Sequence, residues 1–220
     1  MVRASDKTKR KRKYGTGRGK EYIPFIHSRE SNSLGTTAVF NDWITGRQVH
    51  CLSQAEMKWY HILRFDEKNV DILEQYPLNM DFLAAVAHDL GYYVNPEESR
   101  NWTTDFLVER EDGSFWAYCV KYDDNVSEKE CIRLGIKKEY WQRLNCGFRI
   151  LLGRDVNDIL FHNIMLVVEF YDRSKVYDRY SMFKHLVARK EIKIDLTKKL
   201  LSNDVIDVFL EAIDYERLEA

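Results

Sequence analysis

The stretch Thr103–Lys121 constrains the fold of this chain more than any other segment. Two β-prone runs, Thr103-Thr-Asp-Phe-Leu-Val108 and Phe115-Trp-Ala-Tyr-Cys-Val-Lys121, flank Glu109-Arg-Glu-Asp-Gly-Ser114. An Asp-Gly pair between alternating runs is a strong short-range hairpin signal. The register of that hairpin decides which side chains meet. Alternation puts Phe115, Ala117, Cys119 and Lys121 on one face of the second strand. A two-residue turn at Asp112-Gly113 would pair Asp105 with Val120, one residue out of step with that face. A three-residue loop, Glu111–Gly113, with Gly113 left-handed in a bulge, pairs Asp105 with Cys119 instead. The expectation is the bulged loop, with Asp105, Cys119 and Lys121 pointing together.

Other elements are arranged around this hairpin. Residues 14–36 are rich in Gly, Ser and Thr and read as an extended arm. Thr36–Leu52 has β character broken by a turn at Ile44-Thr45-Gly46. Ser53-Gln-Ala-Glu56 is a capping-box pattern opening a helix to about residue 67. Val70–Pro77 reads as a strand. A second capping box, Ser127-Glu-Lys-Glu130, opens a helix to about Leu144. Phe148–Leu152 reads as a strand, central because it scarcely alternates. Asp155 is expected to cap a helix through Phe170, and residues 178–218 read as helical, with Ser202 or Asn203 capping the last segment. This order predicts an α/β protein with a mixed sheet flanked by helices. The division expected is a basic flexible arm over 1–20, a main domain over 21–172 and a small helical domain over 173–220.

Composition narrows the function classes. The 220 residues are 45% hydrophobic, enough for a substantial core. No apolar run approaches the roughly 20 residues needed to span a bilayer, and no apolar stretch follows the basic N-terminus as a secretory signal requires. The reading is therefore a soluble, cytoplasmic protein with no membrane partner. Cys51, Cys119, Cys131 and Cys146 form no C-x-x-C pair and read as free thiols. Net charge is −1, but residues 1–20 hold nine Lys/Arg against one acid, Asp6, so the remaining 200 carry −9. Such a basic block binds phosphate backbones by counterion release, or else serves as a solubilising tail. Lys9, Arg10, Lys11, Arg12, Lys13, Arg18 and Lys20 are its candidate DNA contacts.

Metal-assisted phosphodiester hydrolysis needs hard oxygen ligands for Mg²⁺ (or Mn²⁺) and a cation near the attacking water and the phosphate. Asp105 and Lys121 on one hairpin face supply both kinds of group. Thr104–Val108 followed by Cys119-Val120-Lys121, with Glu56 on an upstream helix, resembles the TnsA-type transposon endonucleases. So do Gly19-Lys-Glu-Tyr-Ile-Pro24, Gly46-Arg-Gln-Val-His50, Glu74-Gln-Tyr-Pro-Leu78 and Tyr140-Trp-Gln142, in order over about residues 15–170. The resemblance implies a restriction-endonuclease-like fold and a metal-dependent endonuclease subunit of a heteromeric transposase. Such a subunit cuts the 5′ strands at transposon ends, beside a DDE-type transposase subunit and an AAA+ regulator, in association with the bacterial nucleoid. It also implies catalytic roles for Glu56, Asp105 and Lys121, and a metal held by Glu56, Asp105, position 119 and the Val120 carbonyl. Position 119 departs from the pattern, since the family commonly has Gln and this chain has Cys, a poor Mg²⁺ ligand.

Each assignment has a plainer competitor. Glu56 is accounted for by helix capping alone, Lys121 by a solvated strand end, and Cys119 by an inert buried thiol. Asp105 within an apolar strand resists such a reading, because an unpaired buried carboxylate is costly. Asp123 and Asp124 read as outer metal contacts or as a polar loop. Glu74 and Gln75 read as neighbours of the site or as strand-edge residues. Lys129, Arg133, Lys137, Lys138 and Arg143 read as a solvated helix face, with DNA contact the alternative. At the level of function, the alternatives are a stand-alone resolvase or repair nuclease of the same fold and a weakly catalytic DNA-binding assembly module.

Overall fold

The computed structural model describes residues 5–30, 36–95 and 102–212. The chain divides into two compact units, residues 1–156 and 157–220. In the first, the helix α1 (Asp6–Lys11) precedes a two-stranded hairpin of β1 (Ala38–Asn41) and β2 (Gln48–Cys51). Then come α2 (Gln54–Phe65), β3 (Asn69–Pro77), α3 (Met80–Asp89), β4 (Thr103–Arg110), β5 (Phe115–Lys121), α4 (Glu128–Arg143) and β6 (Gly147–Leu152). The sequence reading makes no provision for α3, which Asn79 caps by accepting from the Phe82 amide.

The main sheet has the order β3-β4-β5-β6, antiparallel except for the parallel β5–β6 pair. This is the mixed sheet flanked by helices that the sequence predicts. One face packs Leu73, Leu107 and Ala117 against α3 and α4 through Leu83, Val86, Ile136 and Trp141. The other packs Ile72, Phe106, Val108 and Val120 against β2 and α2 through Val49, Cys51 and Tyr60. A buried Leu or Phe on either face is worth about 2–3 kcal/mol relative to exposure, so both layers hold the sheet firmly. Buried ion pairs brace the second layer. Arg47, just before β2, reaches Glu74 of β3 at 2.6 Å, and Arg64 of α2 reaches Asp42 at 2.8 Å, where the Tyr60 hydroxyl also donates.

The central hairpin has the bulged turn. The register runs from Glu109–Phe115 to Phe106–Tyr118. The Gly113 amide donates to the Arg110 carbonyl, the Arg110 amide to the Ser114 carbonyl, and Gly113 sits at φ +78°. By that count Asp105 lies opposite Cys119.

Four expectations are corrected. β6 is an outer strand of the sheet, not a central one, and its Ile150 is 41% exposed. An apolar run reports side-chain chemistry but not how many neighbours a strand has. The helix expected after Asp155 is α5 (Asp158–Val168), capped by Asn157 rather than by Asp155, and it lies in the unit 157–220. There it packs with α6 (Arg179–Ala188), capped by Asp178, while 189–202, within the stretch expected to be helical, is irregular; the last segment, α7 (Asn203–Ala212), begins where the Ser202 or Asn203 cap is expected, and residues 213–218 lie outside the described residues. Finally, the described part of the basic arm is folded into the first unit. Lys9 is fully buried, its Nζ donating to the Phe25 carbonyl at 2.7 Å and paired with Glu30, and Tyr22 and Phe25 join the core. The long lysine stem fills apolar space while its single charge finds a carboxylate.

Candidate active site

Three local devices position the predicted residues. Ser53 caps α2 by accepting from the Glu56 amide. The Glu56 carboxylate turns back, accepting from the Leu52 amide at 2.9 Å and the Ser53 hydroxyl at 3.1 Å. This is a capping box displaced by one residue, and it fixes the carboxylate at the start of the helix. On the sheet, Asp105 lies beyond the last β4–β5 pair, and its Oδ2 accepts from the Val120 amide at 2.6 Å. A carboxylate thus stands where the next rung of the ladder begins. On β5, Cys119 and Lys121 both face α4. The Lys137 ammonium is 3.8 Å from Cys119 Sγ, and Lys121 Nζ is 2.7 Å from Glu130 Oε1.

Glu56, Val120 and Lys121 line a cavity of about 550 Å³, together with Ser53, Tyr122 and Gly153. A larger cavity of about 700 Å³ lies at Tyr92, Trp102, Ile132 and Arg133 and contains none of the four predicted catalytic residues. The smaller one is lined by two of the four, Glu56 and Lys121, and not by Asp105 or Cys119.

The electrostatics tie these groups to each other. Burial first, and repulsion from Asp105 second, push the Glu56 carboxyl up to about 8 against the pull of its hydrogen-bond donors. Burial disfavours the Lys121 ammonium, but Asp105 and Glu130 outweigh it and the net shift is upward. Burial pushes the Cys119 thiol up to about 11, with Lys137 opposing and Asp105 reinforcing. Asp105 therefore acts on all three other residues of the set.

A divalent cation suits the Glu56–Asp105 pair. Two carboxylates that repel each other, one of them held largely protonated by burial first and by that repulsion second, are the donors a hard cation discharges. Cys119 does not suit it, being fully buried and protonated at neutral pH. Among the described residues no three His, Cys, Asp or Glu side chains cluster as a ready metal cage. The pair would therefore need oxygens from water, backbone or phosphate to complete a shell.

Several residues differ from their sequence reading. Gln75 enters the site, its Nε2 donating to Glu56 Oε2 at 3.1 Å, whereas Glu74 is committed to Arg47. Glu130 does more than begin a helix, and Lys137 is no solvated bystander. The rest of the basic stripe is dispersed, with Arg133 over the Trp102 ring and Arg143 paired with Asp89 and Glu139. Asp124 is held by Arg154 at 2.6 and 2.7 Å, and Asp123 accepts from the Asn125 amide, so loop structure accounts for both. Of the arm residues, Lys9 is closed to a phosphate, while Arg10, Lys11, Arg12, Lys13, Arg18 and Lys20 are exposed, Arg18 beside Glu109.

Comparison with known proteins bears on this geometry. Residues 66–153 match the family model described as TnsA-like endonuclease N terminal. That segment is similar to the TnsA-like endonucleases. It contains Asp105, Cys119 and Lys121, and the fold adds Glu56 from the helix just before it. Over 155 residues the chain is 29% identical to the transposon Tn7 transposition protein TnsA of Escherichia coli, covering 68% of this chain. The chain spans 57% of that relative's length. All four cysteines are free, and no helix among the described residues is long and apolar enough to cross a membrane.

Proposed function

We propose that this chain is the metal-dependent endonuclease subunit of a heteromeric transposase and cuts the 5′ strands at transposon ends. The observation that carries this reading is a cleft lined by Glu56 and Lys121, both of which feel the charge of Asp105, itself bonded to the amide of the lining residue Val120. Glu56 and Asp105 are the residues to hold Mg²⁺ or Mn²⁺, with the Val120 carbonyl a further candidate. When bound, such a cation supplies Lewis-acid charge at a scissile phosphate and favours ionised water. Lys121 places positive charge beside the phosphate and orients the nucleophile. Glu130 keeps Lys121 charged and extended, and Asp105 is held in place by the Val120 amide. The exposed cations of residues 10–20 contact the DNA backbone outside the cleft. A DDE-type transposase subunit and an AAA+ regulator, working with this chain on nucleoid DNA, are the expected partners by likeness to the TnsA relative.

A second reading, a weakly catalytic DNA-binding assembly module, draws support from Cys119. A protonated buried thiol at that position would leave a cation with two carboxylate ligands and make Mg²⁺ chemistry inefficient until DNA phosphates add ligands. One experiment separates the readings. Element-end DNA is incubated with the chain, with and without the transposase subunit, in Mg²⁺ or Mn²⁺, using wild type, Asp105→Ala and Cys119→Gln. The endonuclease reading requires 5′-strand nicking that Asp105→Ala abolishes. Equal nicking by wild type and Asp105→Ala defeats the site. No nicking under any condition, with DNA binding intact, leaves the assembly module.

A further inference from the structure

We infer that Gln75 is the positioning residue that holds the Glu56 carboxylate in the orientation a divalent cation requires. The inference rests on the endonuclease reading and deepens it. Gln75 is 1% exposed, yet it lies within a strand at φ +49°, a left-handed conformation that an L side chain seldom adopts. The pairing partners on either side are regular, Glu74 with Phe106 and Tyr76 with Thr104, so the departure is confined to one residue, the one beside Asp105.

The consequence of that departure is geometric. In a regular strand consecutive side chains point to opposite faces. Here Glu74 bonds Arg47 and Gln75 bonds Glu56, so two successive side chains both engage the segment Arg47–Glu56. The positive φ turns Gln75 toward the site. Strained backbone of this kind clusters where function requires it.

Both ends of the Gln75 amide are used. Its Oε1 accepts from the Thr103 hydroxyl at 3.1 Å, which leaves Nε2 to donate to Glu56 Oε2 at 3.1 Å. Its backbone carbonyl accepts from the Phe25 amide. The amide therefore links the start of β4, through β3, to the carboxylate on α2. With the Leu52 amide and the Ser53 hydroxyl it completes a three-donor cradle that sets the direction of the Glu56 oxygens. Gln75 is neutral, so it orients the carboxylate without supplying charge. Support of this kind is ordinarily worth 10- to 100-fold in metal affinity.

The test is Mn²⁺ binding to the full chain, followed by electron paramagnetic resonance, on wild type, Gln75→Met, Gln75→Gly and Glu56→Ala. Methionine keeps the length of the side chain and removes the amide. Glycine removes the amide but accepts the positive φ without strain, so it stays folded even if methionine does not. The expected result is Mn²⁺ affinity at least about tenfold weaker in both Gln75 variants, with kcat for nicking reduced and KM for DNA unchanged. Wild-type Mn²⁺ affinity in either Gln75 variant, alongside its loss in Glu56→Ala, overturns the inference and leaves the site standing. Wild-type affinity in Glu56→Ala overturns the site itself, and the inference with it.

Discussion

Lys121 Nζ lies 2.7 Å from Glu130 Oε1, joining the end of β5 to the first turn of α4. The Ser127–Glu130 pattern predicts that this carboxylate bends back onto its own helix. Ser127 does accept from the Glu130 amide, but the acid reaches across to Lys121. The two side chains are 24% and 28% exposed, so the pair contributes little to stability, about 1 kcal/mol at most. Its importance is to the charge that DNA meets. Glu130→Gln should leave the melting temperature nearly unchanged while tightening DNA binding, because one negative charge is removed beside the phosphate path. Weaker DNA binding in a fluorescence titration, with the fold intact, would sink this account of the pair.

Glu56 makes stability depend on pH in an unusual direction. Its folded-state carboxyl titrates near 8 rather than at the ordinary 4.5, because of burial and then Asp105. Between those values the folded chain holds a proton that the unfolded chain has lost. Stability is therefore full below about 4.5 and falls as pH rises through about 8, by an amount on the order of a few kcal/mol. Glu56→Gln, which stays neutral, should flatten that part of the profile. Thermal melts of both proteins from pH 5 to pH 9 without divalent metal provide the check, and parallel profiles would contradict the assignment. Adding Mn²⁺ should reverse the trend for wild type alone, since binding expels the proton.

The sequence shows the hairpin clearly because its signals are local. Asp112-Gly113 sets the turn, period-two alternation sets the faces, and together they place Asp105 opposite Cys119. Glu56 is recognisable as a helix start for the same reason, although its part in the site rests on the family resemblance. The sequence does not show what depends on distant partners. Gln75 reads as a neighbour of the site or as a strand-edge residue, but its positive φ is announced by no neighbouring residue type. Lys9 belongs to a run that reads as solvated, and only the tertiary placement of Glu30 and the Phe25 carbonyl buries it. Lys137 occupies a basic stripe, and nothing in the spacing separates it from Arg143, which pairs on the surface.

The thiols should differ sharply in reactivity. Cys131 is exposed, whereas Cys51, Cys119 and Cys146 are buried. Alkylation proceeds through the thiolate, and burial holds both Cys119 and Cys146 at about 11 and raises Cys51 as well. Iodoacetamide at pH 7.5 should modify Cys131 first by at least about tenfold in rate, since a thiol shifted up two units has about a hundredth of the usual thiolate. Peptide mapping by mass spectrometry reads this directly. Rapid labelling of Cys119 would mean the site is more open and more polar than its geometry implies.

The basic N-terminal residues should separate into two kinds. Lys9 is a structural cation, enclosed by Phe25, Tyr14 and Glu30. Removing one member of a buried pair strands the other, so Lys9→Ala should cost about 3–5 kcal/mol of stability. Lys11, Arg12 and Lys13 are exposed and should contribute little to folding. Their contribution, if they touch DNA, is counterion release. Replacing all three with alanine should lower the slope of log affinity against log salt by about 0.9 for each duplex phosphate no longer neutralised. Chemical denaturation and salt-dependent DNA binding, measured on both variants, distinguish the roles. An unchanged salt slope in the triple variant would remove these residues from the DNA path, and a Lys9→Ala protein as stable as wild type would show that the ion pair does not anchor the arm.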